Sequence, residues 1–330
     1  MPANLPPQYL KAEDEYRRAS TPAQRFECLR QLFLLLPKHK GTEKLQAELK
    51  KKISRARDDL EGAKPGAKKS GMSYRVPRDG AGQVVLVGPP NSGKSALLAA
   101  ITNAKPEVAA YPFTTRAPQP GLATWLDVRF QIVDLPAVSP DFFESWIPGI
   151  VRSADASLFV VDLADDDLID AAEACLQKLS EAHIQLVAKL PEDSGDESLM
   201  HVKTIMVANK IDADGADIRF EMLQDWFQGR FPIMSISATQ QTGLDVLRRA
   251  AYDSLEVIRL YSKIPGKPTD RSHPFTVPVG STVLDLAREV HRDLEHTLKY
   301  AKVWGTGVFE GQTVKRDHEL HDADVVELHA

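Results

Sequence analysis

Apolar positions change their period along this chain, and the changes divide it into three segments. In the first, residues 1–72, Phe26, Leu29, Leu32, Phe33 and Leu36 recur at helical spacing. Thr21-Pro22 before them supplies a cap and a first-turn proline. After Pro37-Lys38-His39-Lys40-Gly41, Thr42 can cap a second helix, whose apolar stripe is marked by Leu45, Leu49, Ile53 and Leu60. The pattern predicts a helical hairpin, followed by a Gly/Lys/Ala/Ser-rich linker from Gly62 to Gly71.

The second segment, 82–255, alternates short β-type runs with helical patterns. Strands are expected at Val84–Val87, Ala123–Val128, Phe130–Asp134, Ser157–Asp162, Thr204–Ala208 and Ile233–Ser237. This alternation predicts an α/β fold with a mostly parallel sheet. The second and third runs lie too close together for a crossover helix, so they should form a hairpin carrying an antiparallel edge strand. Pro191 to Ser198 is polar and acidic and reads as a surface insertion. The third segment, 258–330, is different. Phe275–Val277, Ala301–Trp304, Gly307–Phe309 and Val325–Leu328 are strand-like, around one helix marked by Val283, Leu284, Leu286, Ala287, Val290 and Leu294. That mixture predicts a small α+β domain.

Composition narrows the class. The chain has 330 residues, 43% hydrophobic and 26% charged, ordinary for a globular protein. Its net charge of −5 excludes a global polyanion binder, so any nucleic-acid contact must be local. One such patch is basic: Lys38 to Lys69 carries eleven Lys/Arg against five Asp/Glu, either a solvated helix face or a phosphate-backbone contact surface. Cys28 and Cys175 have no metal-ligand spacing and suggest a reducing compartment. No apolar run is long enough for a bilayer, and no signal-peptide layout opens the chain, so a cytoplasmic protein is expected.

The chemistry is concentrated in Gly88-Pro89-Pro90-Asn91-Ser92-Gly93-Lys94-Ser95. Gly-x4-Gly-Lys-Ser between a strand and a helix is a phosphate-binding loop. Its amides and the helix N-terminus cradle a polyphosphate, Lys94 reaches the β/γ-phosphates, and Ser95 offers its hydroxyl to Mg²⁺. Asn209-Lys210-Ile211-Asp212 follows a strand. Its carboxylate, Asp212, can accept the N1–H and 2-amino hydrogens of guanine, donors that adenine lacks. Asn209 would brace the loop, the Lys210 stem would cover the base, and Ser237-Ala238 would offer an N–H to guanine O6. Asp134 ends another strand and can hold Mg²⁺ through water. Tyr111-Pro112-Phe113-Thr114-Thr115 lies between. Thr115, favoured over Thr114, could complete the metal shell when a γ-phosphate is present, making this a switch loop.

In this order the set GPPNSGKS, YPFTT, DLPA, NKID and SISA resembles the Obg-like GTPases, most of all their developmentally regulated GTP-binding (DRG) branch. Ile258-Arg259-Leu260-Tyr261 and Lys299-Tyr300-Ala301-Lys302-Val303-Trp304-Gly305 resemble that branch's TGS domain, a ubiquitin-like β-grasp module. The HKGTEKL stretch resembles its helical N-terminus. The resemblance covers nearly the whole chain. It implies a GTP/GDP-binding switch with Mg²⁺, commonly tied to ribosomes or RNA, here through the basic hairpin and the TGS-like module.

The chain also departs from the pattern. Ala137 stands where the family has glycine in Asp-x-Pro-Gly, which makes φ > 0 costly and should damp switching. Val138 follows, where many GTPases place a water-orienting glutamine. A Gly-rich basic stretch and the branch's inserted domain are missing. Some relatives recruit K⁺ with a phosphate-loop asparagine, and Asn91 occupies that position. The expectation is slow GTP hydrolysis, stimulated by a cation or a partner, with Lys94, Thr115 and Asn91 in catalytic roles. The alternative is a nucleotide-binding scaffold with negligible turnover. Arg116 offers a weaker electrostatic contribution. His318 and His321 read as surface residues, and Tyr300 and Trp304 as core of the last domain.

Overall fold

The computed structural model describes residues 74, 76–102, 117–191 and 198–330, with isolated positions at 16, 28, 29, 32 and 52. The chain divides into two compact units, 1–71 and 72–330. The expected helical hairpin, its linker, the Tyr111–Thr115 loop with Arg116, and most of the acidic insertion lie outside the described residues.

The second unit contains two sheets. The first is built from β1 (Gln83–Val87), β2 (Gln119–Trp125), β3 (Val128–Asp134), β4 (Ala156–Asp162), β5 (Ile184–Val187), β6 (Met200–Asn209) and β7 (Ile233–Ser235). Its order is β2-β3-β1-β4-β6-β5, with β7 also paired to β6. Every pairing is parallel except β2 with β3. The interleaved helices are α1 (Lys94–Ile101), α2 (Ile147–Ser153), α3 (Leu168–Glu181), α4 (Ala216–Trp226) and α5 (Leu244–Asp253).

Alternation along the strands supplies both faces of this sheet. Val84, Leu86, Ile132, Leu158 and Val160 pack with α1 and α5, whereas Val85, Val87, Val133, Phe159 and Val161 pack with α3 and α4. A sheet covered on both faces needs continuous apolar strands, and β4 is buried at all seven positions. The hairpin expectation holds, but the turn corrects its bounds. Ala123–Val128 is not one strand: Leu126, at φ 53°, and Asp127 turn the chain, and Val128 already belongs to β3. β5 escaped the sequence reading because four residues, one of them exposed, carry little periodic signal.

The second sheet joins β8 (Val257–Ser262), β9 (Phe275–Pro278), β10 (Tyr300–Trp304), β11 (Gln312–Val314) and β12 (Asp324–His329) in the order β11-β10-β12-β8-β9. Helix α6 (Val283–Val290) seats Val283, Leu286 and Ala287 against Leu260, Val303 and Val326. Thr282 caps it in a full capping box with Asp285. The single expected helix is broken: His291 takes an extended backbone and its ring caps α7 (Arg292–Thr297). Gly307–Phe309 forms no strand; the third hairpin strand is Gln312–Val314. Tyr300 and Trp304 are not in the core. Tyr300 stacks on His329 with ring centroids 4.5 Å apart, and Trp304 lies beneath the Lys263 ammonium at 4.0 Å.

The two sheets meet at the tip of the β2–β3 hairpin. Asp127 accepts hydrogen bonds from Arg259 at 3.0 Å and from the Tyr261 hydroxyl at 2.5 Å. Arg259 also holds Asp322 at 2.6 Å. The Arg259 hydrogen bonds keep the Asp322 carboxyl below its ordinary range. Burial would raise Asp127, but hydrogen bonds from Tyr261 and Arg259 outweigh it and lower it.

Candidate guanine-nucleotide site

The C-terminal ends of β1, β3, β4 and β6 lie side by side, the place where open α/β sheets present ligand-binding loops. The loop after β1 curls because two glycines permit it. A Cβ on Gly88 would run into the Val160 carbonyl, and one on Gly93, at φ 86°, into the Asn209 amide. Asn91 adopts φ 61°, a conformation that asparagine tolerates better than most residues. Ser92 is fully buried and donates to the Pro89 carbonyl at 3.0 Å. α1 then starts at Lys94, with its first amides facing the loop. The Lys94 ammonium lies inside the loop, donating to the Gly88 and Pro89 carbonyls at 3.0 and 2.8 Å. Burial pulls its pKa below the ordinary lysine value, and the charge of Asp134 opposes that fall.

Ser95 and Asp134 converge. The serine Oγ donates to Asp134 Oδ2 at 2.5 Å, and Asp134 is fully buried at the end of β3. A hydroxyl and a carboxylate this close, beside a phosphate-type loop, make an oxygen donor set that suits Mg²⁺. Thr115 and Thr114 lie outside the described residues.

The side of the site after β6, read from sequence as the base-reading side, is held by Asn209. Its Nδ2 donates to the Ser92 carbonyl at 3.0 Å, and its Oδ1 accepts from the Ala238 N–H at 3.1 Å. One side chain thus ties the phosphate loop, β6 and the segment after β7 together. The Ala238 amide, read from sequence as a donor to guanine O6, is engaged here by Asn209; Ser237 donates its N–H to Thr242. Asp212 is exposed and has no hydrogen-bond partner among the described residues. Lys210 adopts φ 66°, and its ammonium pairs with Asp162 at 2.5 Å. Sequence reasoning missed Asp162. Its only signal was an acidic residue closing an otherwise apolar strand.

Ala137 and Val138 occupy ordinary backbone. Ala137 is not at positive φ, and it is almost buried. The Val138 side chain is in the core with Trp146 and Ile147, and its N–H donates to the Gly88 carbonyl at 3.1 Å. The loop after Asp134 is therefore pinned to the phosphate loop through Val138. Cys175 is a core residue whose thiol burial pushes to about 12, too high for nucleophilic chemistry. Among the described residues no group of His, Cys, Asp and Glu is disposed to hold a metal by itself, and no helix is long and apolar enough to cross a membrane.

Residues 83–210 match the family model described as 50S ribosome-binding GTPase, and residues 258–330 match that of the TGS domain. The chain is a guanine-nucleotide-binding P-loop protein of the GTPase family, with a C-terminal TGS domain. Within that class it is similar to the DRG proteins. It is 28% identical to Developmentally-regulated G-protein 1 of Arabidopsis thaliana, covering 88% of this chain and 87% of the relative. It is 28% identical to an uncharacterised GTP-binding protein of Methanocaldococcus jannaschii, covering 88% of each. Both alignments run over 351 positions, more than the 330 residues present here, so these relatives carry residues for which this chain has none. Among solved structures, the YchF GTPase of Schizosaccharomyces pombe shares the fold, with a TM-score of 0.53 at 13% identity over 78% of this chain and all of that one.

Proposed function

We propose that this protein is a slow GTPase switch that hydrolyses GTP to GDP and phosphate, with its turnover raised by a cation or a partner. The observation carrying this reading is the Asn209 brace, which joins the phosphate loop to the base-reading loops. It suits an NTP site in which base identity and phosphate position are read as one unit.

In this reading the Gly88–Ser95 amides cradle the phosphates, and Lys94 turns from the loop carbonyls to the β/γ-phosphates. Asp212 accepts the two guanine donors. Ser95 and Asp134, with Thr115, would hold Mg²⁺, which neutralises charge on the β- and γ-phosphate oxygens when bound. The apolar, buried Val138 leaves no side chain at that position to orient water, which supports slow intrinsic turnover. Asn91 would help to place K⁺ beside the phosphates. Single-turnover hydrolysis in K⁺ and in Na⁺ tests this directly. Faster turnover in K⁺, lost in Asn91→Ala, is expected; equal rates in the two salts remove the cation from the proposal.

The second reading, a scaffold that binds nucleotide without turnover, is favoured by the pinned Ala137-Val138 loop. It predicts tight GTP binding with no hydrolysis in either salt, even with ribosomes present. The proposed partner surface is ribosomal or other RNA, reached through the basic 38–69 segment and the TGS domain. RNA affinity that falls steeply with salt supports this; affinity unchanged by salt removes phosphate contacts.

A further inference from the structure

We propose that α4 is a docking surface for a basic amphipathic helix presented by another protein. The helix is attached to its own fold by Ala216 and Leu223, with Phe227 just beyond, all buried in the core. Its solvent side is not built as a solvated face. Ile218, Met222 and Trp226 are 61%, 50% and 57% exposed, and they fall at i, i+4 and i+8, on one line. Single exposed apolar residues are ordinary, but a line of three on one helix is a patch. Its chemistry is also that of an interface: Trp and Met are enriched in protein contacts. The Trp226 indole N–H donates to Glu173 at 3.0 Å, and Glu173 also pairs with Arg230 at 2.5 Å. The ring is therefore held in one orientation while its surface stays open, which lowers the ordering cost of a contact.

A second line decides what fits. Asp217, Glu221 and Asp225 run one residue behind the apolar line at the same spacing, all exposed, with no cationic partner among the described residues. Like charges at i, i+4 repel and weaken a helix. The one arginine of the helix, Arg219, turns away to Asp166 and to the carbonyls of Leu163 and Asp214. Neighbouring Asp165 and Asp167 are exposed as well and extend the negative field. Such a face repels nucleic acid. Pairing it isologously with a second copy would bring acid against acid. Its complement is an apolar stripe flanked by Lys or Arg, the groove-and-anchor mode of helix recognition. α4 begins only a few residues after Asp212, so an occupant would sit next to the base-reading loop.

The test uses the full chain and a short Leu/Lys peptide written at helical spacing, with a scrambled peptide of identical composition as control. Binding is read by fluorescence anisotropy, and the footprint by hydrogen exchange. The amphipathic peptide should bind about tenfold or more tighter than the scrambled one and protect 216–226. Met222→Ser/Trp226→Ser and Glu221→Lys/Asp225→Lys should each weaken it by about tenfold or more, with nucleotide binding confirming that both variants fold. A smaller preference, a smaller loss in either variant, or protection elsewhere overturns the proposal. So does a dimer in sedimentation that Met222→Ser/Trp226→Ser dissolves, since the occupant would then be a second copy.

Discussion

In the proposed site, one side chain would read the base and a second would hold the loop that carries it. Asp212 is a bare carboxylate at the end of a loop that Asn209 fixes from behind. Asp212→Asn replaces one acceptor with a donor, so one guanine hydrogen bond becomes a donor–donor clash. GTP affinity should fall by about ten- to a hundredfold, because a hydrogen bond to a charged group is worth about 1.5–3 kcal/mol. Xanthosine nucleotides, with a carbonyl in place of the 2-amino group, should gain. Competition binding with both bases checks this, and unchanged guanine preference would remove Asp212 from the site. Asp162 acts at one remove. It pairs with Lys210, whose left-handed backbone the loop must otherwise hold unaided. Asp162→Asn should weaken GTP binding by no more than about fivefold while leaving the preference for guanine intact. A change in preference would mean that Asp162 meets the base itself.

At the scale of elements, the turn after β1 and the loop after β3 are constrained by backbone more than by side-chain identity. Gly93→Ala places a Cβ against the Asn209 amide at φ 86°, which costs about 1–2 kcal/mol for the left-handed conformation before the clash is counted. Its outcome should be a folded chain that has lost nucleotide binding, seen as retained circular dichroism without a nucleotide-induced rise in Tm. The loop after Asp134 is held at Val138, by the core around its side chain and by its N–H on the Gly88 carbonyl. Ala137→Gly leaves both attachments and adds only backbone freedom. Hydrogen exchange at 135–139 should accelerate, and single-turnover hydrolysis should rise if stiffness limits the loop. Unchanged exchange would show that Val138, and not the missing glycine, sets its rigidity.

Over the whole molecule, the TGS domain and the GTPase sheet are joined by the hydrogen bonds to Asp127, at the tip of the hairpin whose second strand ends at Asp134, and by Val257, which packs against the core of that sheet. Asp127 and Asp322 both titrate below the ordinary Asp value of 3.8, so their contribution to stability is complete above it and is lost as pH falls through their lower folded values. Arg259→Gln should flatten that acid limb of the unfolding curve and separate the two domains into distinct thermal transitions. A single transition with an unchanged acid limb would mean that other contacts carry the junction. The sequence by itself determined the class of the protein: the phosphate loop, NKID and their order needed only local spacing, because each motif works through residues adjacent in the chain. It also determined the alternating fold, since a sheet buried on both faces must be written as apolar runs. Tertiary structure decided the rest. Glycine-to-Asn209 packing, the Asp162–Lys210 pair, the Asp127 junction and the open face of Tyr300 and Trp304 join residues far apart in the chain or turn on which side of a strand is covered. Spacing carries no information about such partners. α4 shows the same division: its apolar and acidic lines can be written from the sequence, but only the packed structure tells which of them is left uncovered.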